Sequence, residues 1–136
     1  MDRERDLELL RCVYSDWARG DFSRIDMWDI NVEFVTAGIE PRTYTGPNGV
    51  REGWFDFLSA WDDFRVEGID FIEGARDETW VVLCHLSGRG KESNVPIEAS
   101  TANVIVMRDG KIVRFELFWD RDEAVAAGGL PRQGGG

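Results

Sequence analysis

The chain has 136 residues, of which 43% are hydrophobic, and this length suits one compact domain with a single core. Its 26 acidic and 16 basic side chains leave a formal charge of −10, which repels phosphate backbones and anionic lipid surfaces. Nucleic-acid and membrane-surface binding are therefore disfavoured, whereas the 12% of aromatic residues favours an aromatic-lined cavity.

Apolar residues at helical spacing predict a first helix from Asp6 to Arg19, and Gly20 follows as its C-cap. The carboxylate of Asp21 is expected to accept a backbone N–H of Ser23 or Arg24. This bond would cap a short second turn before the first strand.

A strand, an extended segment and a second helix come next. The strand is predicted from Asn31 to Val35 and the extended segment from Pro41 to Thr45. Gly46-Pro47 opens the helix, because proline is tolerated where the N–H has no partner. The apolar stripe of this helix consists of Val50, Trp54, Phe57, Leu58 and Trp61.

Four strand candidates with a period of two follow, and Asp109-Gly110 is the strongest hairpin signal between them. Asp120 and Glu123 form a capping-box pattern ahead of a short helix from Ala124 to Ala127. The four strands are Phe64 to Glu73, Thr79 to Ser87, Ile97 to Met107 and Ile112 to Trp119.

Helices followed by a run of strands predict an α+β domain, with the N-terminal helices packed on the concave face of a strongly curved antiparallel sheet. One domain is expected over residues 6–130, with a flexible tail at residues 131–136. A curved sheet covered by helices encloses a cavity, which is the expected site.

Alternation along the strands predicts an apolar face toward the cavity and a mixed outer face. The cavity face is expected to hold Trp80, Val82, Cys84, Leu86, Val113, Phe115, Leu117 and Trp119. The outer face is expected to hold apolar residues as well, namely Val81, Leu83, Ile105 and Phe118. Because an exposed apolar sheet face tends to be buried against another protein surface, the pattern predicts a homodimer through the sheet.

Five stretches of sequence, together with the order of the elements, carry a family resemblance. They are Trp17 to Phe22, Gly46 to Trp54, Gly88 to Gly90, Arg108 to Arg114 and Asp120 to Ala124. They resemble the SnoaL-like branch of the NTF2-like superfamily. The resemblance implies a conical α+β fold, a deep pocket and dimers through the sheet, in a superfamily of isomerases, polyketide cyclases, epoxide hydrolases and dehydratases.

The catalytic sets of two of these activities are not matched. The general base, the oxyanion-hole tyrosine and the protonated aspartate of the ketosteroid isomerases fall near Phe34, Val13 and Ala102. Proton abstraction beside a carbonyl needs a base and an oxyanion donor, so this mechanism lacks its groups. The epoxide hydrolase set falls close to Cys84, Leu86 and Leu117, which are apolar or uncharged.

His85 and Tyr14 are the catalytic candidates. Histidine side chains titrate near neutral pH, and relatives use histidines on this strand or the next as bases. Alternation favours the alternative, in which His85 lies on the outer face at the dimer contact. Tyr14 neighbours the isomerase tyrosine position, and its alternative is a ring packed in the core.

Other polar residues on the strands have more ordinary interpretations. Glu33, Glu98 and Glu116 are expected as outer-face charges, and Thr101 and Asn103 as hydrogen-bonding partners of a water or a neighbouring strand. The ligand pocket is predicted to be lined by Val13, Trp17, Phe34, Trp54, Val82, Cys84, Ala102, Phe115, Leu117 and Trp119. Such a lining suits a small, flat, hydrophobic molecule. The alternative is a core that the large aromatic side chains fill, with no cavity.

No cofactor and no metal ion are predicted. The carboxylates Asp62-Asp63 and those of Asp120 to Glu123 have no histidine beside them, and Gly88-Arg89-Gly90 lacks the context of a phosphate loop. Cys12 and Cys84 are expected to be buried, reduced thiols. The charged N-terminus and the absence of a long apolar run predict a soluble, cytoplasmic protein.

Two functions stay open at this point. One is a cofactor-independent isomerase, cyclase or dehydratase acting on a small hydrophobic metabolite, which requires a titratable group inside the cone. The other is a non-catalytic ligand-binding or dimerisation module on the same fold, which requires none.

Overall fold

Three helices and a six-stranded sheet form the fold in the computed structural model, which describes residues 3–36, 42–76 and 78–129 without the side chains of Asp56 and Phe57. The elements are α1 (Arg3–Ala18), β1 (Trp28–Thr36), β2 (Arg42–Thr45), α2 (Gly46–Leu58), β3 (Trp61–Glu73), β4 (Thr79–Gly90), β5 (Pro96–Arg108), β6 (Lys111–Phe118) and α3 (Arg121–Ala127). Their order confirms the predicted α+β class. The predicted tail at residues 131–136 and the start of the extended segment at Pro41 lie outside the described residues.

The sheet is mixed, so the prediction of an antiparallel sheet is wrong for one pair of strands. In the strand order β2-β1-β6-β5-β4-β3, β1 runs parallel to β6 with Phe34 opposite Phe115. The other four neighbouring pairs are antiparallel. Hairpins impose antiparallel pairing along β3 to β6, but no hairpin joins β1 to β6. Strand periodicity shows which residues share a face and does not show which strands become neighbours.

The end of α1 has the geometry expected of a glycine C-cap. Gly20 has φ of 81°, and its N–H donates to the Trp17 carbonyl at 3.0 Å while the Asp21 N–H donates to the Asp16 carbonyl at 2.9 Å. These two bonds form a Schellman motif. The Asp21 carboxylate accepts the Ser23 N–H at 3.0 Å as predicted, but residues 21–25 form no helical turn, because this bond closes only a local turn.

Two boundaries around the shorter helices differ from the predictions. α2 ends at Leu58, and Trp61, predicted on its stripe, is the first residue of β3 and pairs with Gly90. The predicted stripe residue Phe57 lies outside the described side chains. At the other end of the chain, the Asp120 carboxylate accepts the Asp122 and Glu123 N–H groups, so α3 begins at Arg121.

The main core lies between the concave face of the sheet and helices α1 and α2. Leu10, Val13 and Trp17 of α1 are at most 1% exposed in it. The opposite side of α1 faces solvent, and Cys12 lies there, so the prediction that Cys12 is buried is wrong. The spacing of Cys12 from Val13 explains the difference, because neighbouring helical residues point about 100° apart.

A register shift in the hairpin of β5 and β6 changes which residue of β6 points inward. Met107 pairs with Ile112 and Val106 pairs with Arg114, which leaves Val113 without a register partner. Ile112 is fully buried in the core, whereas Val113, predicted on the cavity face, is only half-buried. An extra residue in one strand interrupts the alternation locally, and beyond it Phe115 and Leu117 still point inward as predicted.

The outer face of the sheet is covered by α3 of the same chain. Val81, Ala102, Val104 and Phe118 form a second buried cluster with Ala124 and Val125 of α3, and Leu83 packs against it. The apolar outer residues that predicted a homodimer are therefore buried within one chain. Ile105, predicted among them, lies in the main core instead.

Candidate functional site

Aromatic rings fill the centre of the cone around Trp17. The ring of Trp17 lies 4.8 Å from Tyr14, 5.3 Å from Trp54 and 5.6 Å from Phe115, measured between centroids. Phe34 is 5.4 Å from both Trp54 and Phe115. Most of these pairs meet edge to face, which is the favourable arrangement for aromatic rings.

Most of the residues predicted to line a pocket come together in this cluster. Val13, Trp17, Phe34, Trp54, Val82, Cys84, Phe115 and Leu117 are all members of the main core and are at most 6% exposed. Their convergence forms the packed hydrophobic interior of the cone.

Two predicted lining residues lie elsewhere. Ala102 belongs to the outer cluster beneath α3, because its neighbour Asn103 occupies the inward position on β5. Trp119 follows the last residue of β6 and is 45% exposed. Both corrections concern positions at which the pocket prediction depended on strand register or strand length.

A polar cluster lies inside the apolar interior, where α1 meets β4 and β5. The Tyr14 hydroxyl donates to Asn103 Oδ1 at 2.5 Å, and the Cys84 thiol lies 3.3 Å from the same oxygen. Tyr14 is 2% exposed, Asn103 is 3% exposed and Cys84 is fully buried. The thiol also lies 3.3 Å from the Val82 carbonyl, so its single proton has two acceptors.

Burial keeps both titratable members of this cluster protonated. It raises the pKa of Tyr14 well above its ordinary value of 10, and the nearby Cys84 raises it further. Burial also raises the pKa of Cys84 to about 12. Near neutral pH the site therefore presents a neutral O–H and a neutral S–H, and Cys84 is not a thiolate nucleophile.

The Asn103 side chain has a donor that the protein does not use. Its Oδ1 accepts from Tyr14, while no partner of Nδ2 is found among the described residues. No side-chain nitrogen or oxygen that is fully enclosed in the described part lacks a partner, so Nδ2 reaches accessible space. A ligand atom could accept a hydrogen bond there. Asn103 is thus a candidate site residue that the sequence reasoning undervalued, although an asparagine between Ala102 and Val104 on an apolar strand was a signal.

No charged side chain is buried in this interior in the part of the chain that the structure describes. The half-buried Arg121 of α3 donates to the Cys84 carbonyl at 2.8 Å and to the Thr101 carbonyl at 3.2 Å. In the described part of the chain, the buried polar residues besides Tyr14 and Cys84 are Thr79, Thr101 and Asn103. The described interior thus offers hydrogen-bond donors without a carboxylate or imidazole base.

His85 lies on the outer face of the sheet, away from Tyr14. Its neighbours in sequence, Cys84 and Leu86, are core residues, and its Nε2 is 3.6 Å from Oε1 of Glu98, a side chain that is 75% exposed. The outer-face interpretation of His85 therefore matches its position, and His85 does not join the interior polar cluster.

The other strand carboxylates also point outward. Arg114 Nη1 lies 3.0 Å from Oε1 of Glu33, and Arg114 Nε lies 3.1 Å from Oε1 of Glu116. These ion pairs account for Glu33 and Glu116 as surface charges. Neither carboxylate is available to the interior as a base.

A depression of about 280 Å³ lies between α1 and β3, with Tyr14 in its lining. Arg11 and Glu67 are charged members of the lining, and Phe71 is an apolar one. β3 approaches α1 closely because Gly68 has no side chain; a Cβ atom there would lie 3.2 Å from Tyr14 Cγ. Tyr14 therefore borders this depression on one side and the aromatic interior on the other.

The described residues contain no group of three or more histidine, cysteine, aspartate or glutamate side chains able to hold a metal ion. In the same ranges, no helix has the length and apolar character that crossing a bilayer demands.

Comparison of the sequence with protein families identifies the family to which the chain belongs. A model of the SnoaL-like domain matches residues 10–115. The chain belongs to the SnoaL-like family. No curated protein matches it.

Solved structures show the same fold at low sequence identity. A Bacillus subtilis protein named provisionally as an isomerase is 22% identical, with 96% of this chain and 99% of that chain covered and a TM-score of 0.73. TerC, co-crystallised with polyporic acid, is 21% identical, with 93% and 97% covered and a TM-score of 0.72. The epoxide hydrolase/cyclase-like enzyme SalBIII is 17% identical, with 88% and 93% covered and a TM-score of 0.72.

Proposed function

We propose that this SnoaL-like protein binds a small hydrophobic metabolite through a carbonyl or other neutral oxygen. The observation that carries the proposal is the Tyr14–Asn103 hydrogen bond inside a core of aromatic and aliphatic side chains. A hydrophobic ligand gains free energy from burial of its apolar surface, and a small number of polar groups fixes its orientation. Asn103 Nδ2 is the donor that such an oxygen would meet, and the Tyr14 hydroxyl, whose proton goes to Asn103 Oδ1, orients the amide.

The electrostatics of the interior favour a neutral ligand oxygen. Burying an unpaired charge costs far more than burying a hydrogen-bonded neutral group. The described interior holds no cation to pair with an anionic ligand, whereas a carbonyl oxygen needs only a donor. The relatives whose names refer to epoxide hydrolase/cyclase-like chemistry or to polyporic acid support a small-molecule site.

Calorimetry with 2-tetralone and with tetralin, which has the same carbon skeleton and no carbonyl, tests the proposal. We expect the ketone to bind more tightly, and Tyr14→Phe to reduce that advantage about five- to tenfold. Tyr44→Phe is the matched control, because Tyr44 is the only other tyrosine in the chain and lies on β2. Equal binding of the two compounds, or an unchanged ketone affinity in a folded Tyr14→Phe protein, would contradict the proposal.

A second candidate is a cofactor-independent isomerase, cyclase or dehydratase. A neutral donor that stabilises a developing oxyanion favours it, since polarisation of a carbonyl acidifies the adjacent carbon. The α-proton would pass to a water molecule or a buffer base, because the described interior holds no carboxylate or imidazole. The test is deuterium exchange at the α-carbons of 2-tetralone in heavy water, followed by NMR. We expect exchange above the buffer rate that Tyr14→Phe lowers and His85→Ala leaves unchanged. Exchange at the buffer rate would leave the binding function alone.

The homodimer and the cytoplasmic location remain part of this proposal. The part of the outer face that α3 does not cover carries polar side chains such as His85 and Glu98. The interface of a dimer through the sheet would therefore be polar. Light scattering at micromolar concentration tests it, and a monomer would contradict it.

A further inference from the structure

A groove lies outside the cone, between α2 and the segment that joins α1 to β1. It has a volume of about 380 Å³, within the range of small-molecule sites. Its wall is largely aromatic and aliphatic and includes Phe22, Ile25, Trp28, Val50, Trp54 and Phe55. The rings of Phe22 and Trp54 separate it from Trp17 and the interior, so it is distinct from the site of Tyr14.

Two of the apolar side chains that line this groove are exposed to solvent. Phe55 is 71% exposed and Ile25 is 50% exposed. Exposed apolar residues are unremarkable when scattered, but here both line one concave groove whose floor includes buried Trp28 and Trp54. The groove can therefore bury apolar ligand surface without opening the core.

Both charged side chains that line the groove among the described residues are guanidiniums. The described lining contains Arg24 and Arg51 and no acidic residue, on a chain whose formal charge is −10. Arg51 is exposed, lies one helical turn before Phe55, and has no ion-pair partner among the described residues. Arg24 Nε is held by Asp16 at 2.8 Å and its Nη1 lies 3.8 Å from Asp26, which fixes the Arg24 side chain at the edge of the groove.

We propose that this groove is a second binding site, for an amphipathic carboxylate whose apolar body lies along Phe55 and Trp54 while its carboxylate pairs with Arg51. Charge complementarity selects this ligand class, because a guanidinium presents a fork of N–H donors that matches a carboxylate. The site goes beyond the proposed carbonyl site and does not depend on Tyr14.

Calorimetry with decanoate and 1-decanol tests the site, because the two probes share their alkyl chain and differ in the charged head. We expect decanoate to bind more tightly than decanol, and Arg51→Gln to weaken decanoate about three- to tenfold while leaving decanol unchanged. Phe55→Glu should weaken both probes, since it replaces apolar contact area with a carboxylate. Arg76→Gln, which removes the same charge from the exposed turn after β3, is the matched control and should change neither affinity.

Several results would overturn the proposal. They are equal affinity for decanoate and decanol, no binding of decanoate, or an Arg51→Gln affinity equal to that of the parent. A dimer in light scattering that Phe55→Glu dissociates, without decanoate binding, would assign the groove to a second copy of the chain instead. Loss of 2-tetralone binding in Tyr14→Phe, with decanoate binding retained, would show that the two sites are separate.

Discussion

The hydrogen bond between Tyr14 and Asn103 should be visible as an energetic coupling between the two residues. Tyr14→Phe removes one donor, but Asn103 Oδ1 keeps the Cys84 thiol at 3.3 Å, so the loss is about 1 kcal/mol, the net value of one hydrogen bond. Asn103→Leu instead leaves the Tyr14 hydroxyl, which is 2% exposed, with only the Cys84 thiol as a weak partner, which costs about 2 kcal/mol. The double variant has no Tyr14 hydroxyl left to satisfy. We therefore expect its loss of free energy of unfolding to be about 1–2 kcal/mol smaller than the sum of the losses in the two single variants.

Urea unfolding of the four proteins, followed by circular dichroism and tryptophan fluorescence, measures this cycle. Tyr44→Phe is the control, because the Tyr44 hydroxyl makes no hydrogen bond within the described residues. We expect its effect to stay within about 0.5 kcal/mol. Single losses that add to within about 0.5 kcal/mol in the double variant would refute the coupling and remove the basis of the interior site.

Three further predictions concern groups around the core. At about pH 8 a thiol-specific disulfide reagent should modify exposed Cys12 and spare Cys84, whose pKa is about 12, until the protein is unfolded; a native Cys12→Ser protein that still reacts would contradict the burial of Cys84. Gly68→Ala should lower the free energy of unfolding by about 1–3 kcal/mol, because the new Cβ would lie 2.7 Å from Phe71 Cζ, and an unchanged urea midpoint would contradict this packing. Hydrogen bonds from Arg24 and Arg19 lower the pKa of Asp16 below its ordinary 3.8, so its stabilising effect is present above that pH and is lost as the pH falls through the lowered pKa. Asp16→Asn should therefore destabilise the protein at neutral pH and lose this effect in acid, whereas a difference that persists in acid would contradict the ion pairs.

The sequence predicted features that depend on local chemistry. The Gly20 cap, the Asp120 cap and the start of α2 at Gly46 were predictable, because glycine conformation, carboxylate capping and proline tolerance act within a few residues. The convergence of Trp17 and Phe115 followed from helical spacing and strand alternation.

Features that depend on register over long distances were not predictable from periodicity. Ala102 and Asn103 are adjacent in sequence, but Ala102 packs beneath α3 while Asn103 contacts Tyr14. Alternation alone does not fix which of the two points inward. The extra residue at Val113 likewise places Ile112 and not Val113 in the core, while Phe115 keeps its predicted inward position. The cover of the outer face by α3 was missed because a seven-residue helix has too short a pattern to show what it packs against.

The positions of the charges divide the two proposed sites by ligand chemistry. The interior offers the Asn103 amide, oriented by the Tyr14 hydroxyl, as a neutral donor and, in its described part, no buried cation. An anionic ligand would therefore lose its hydration there without gaining a counter-ion. At the groove, Arg51 remains in contact with water and can pair with a carboxylate while the ligand body covers Phe55. A neutral ketone is therefore expected in the cone and an apolar acid in the groove, and the same aromatic surplus that fills the core supplies walls for both.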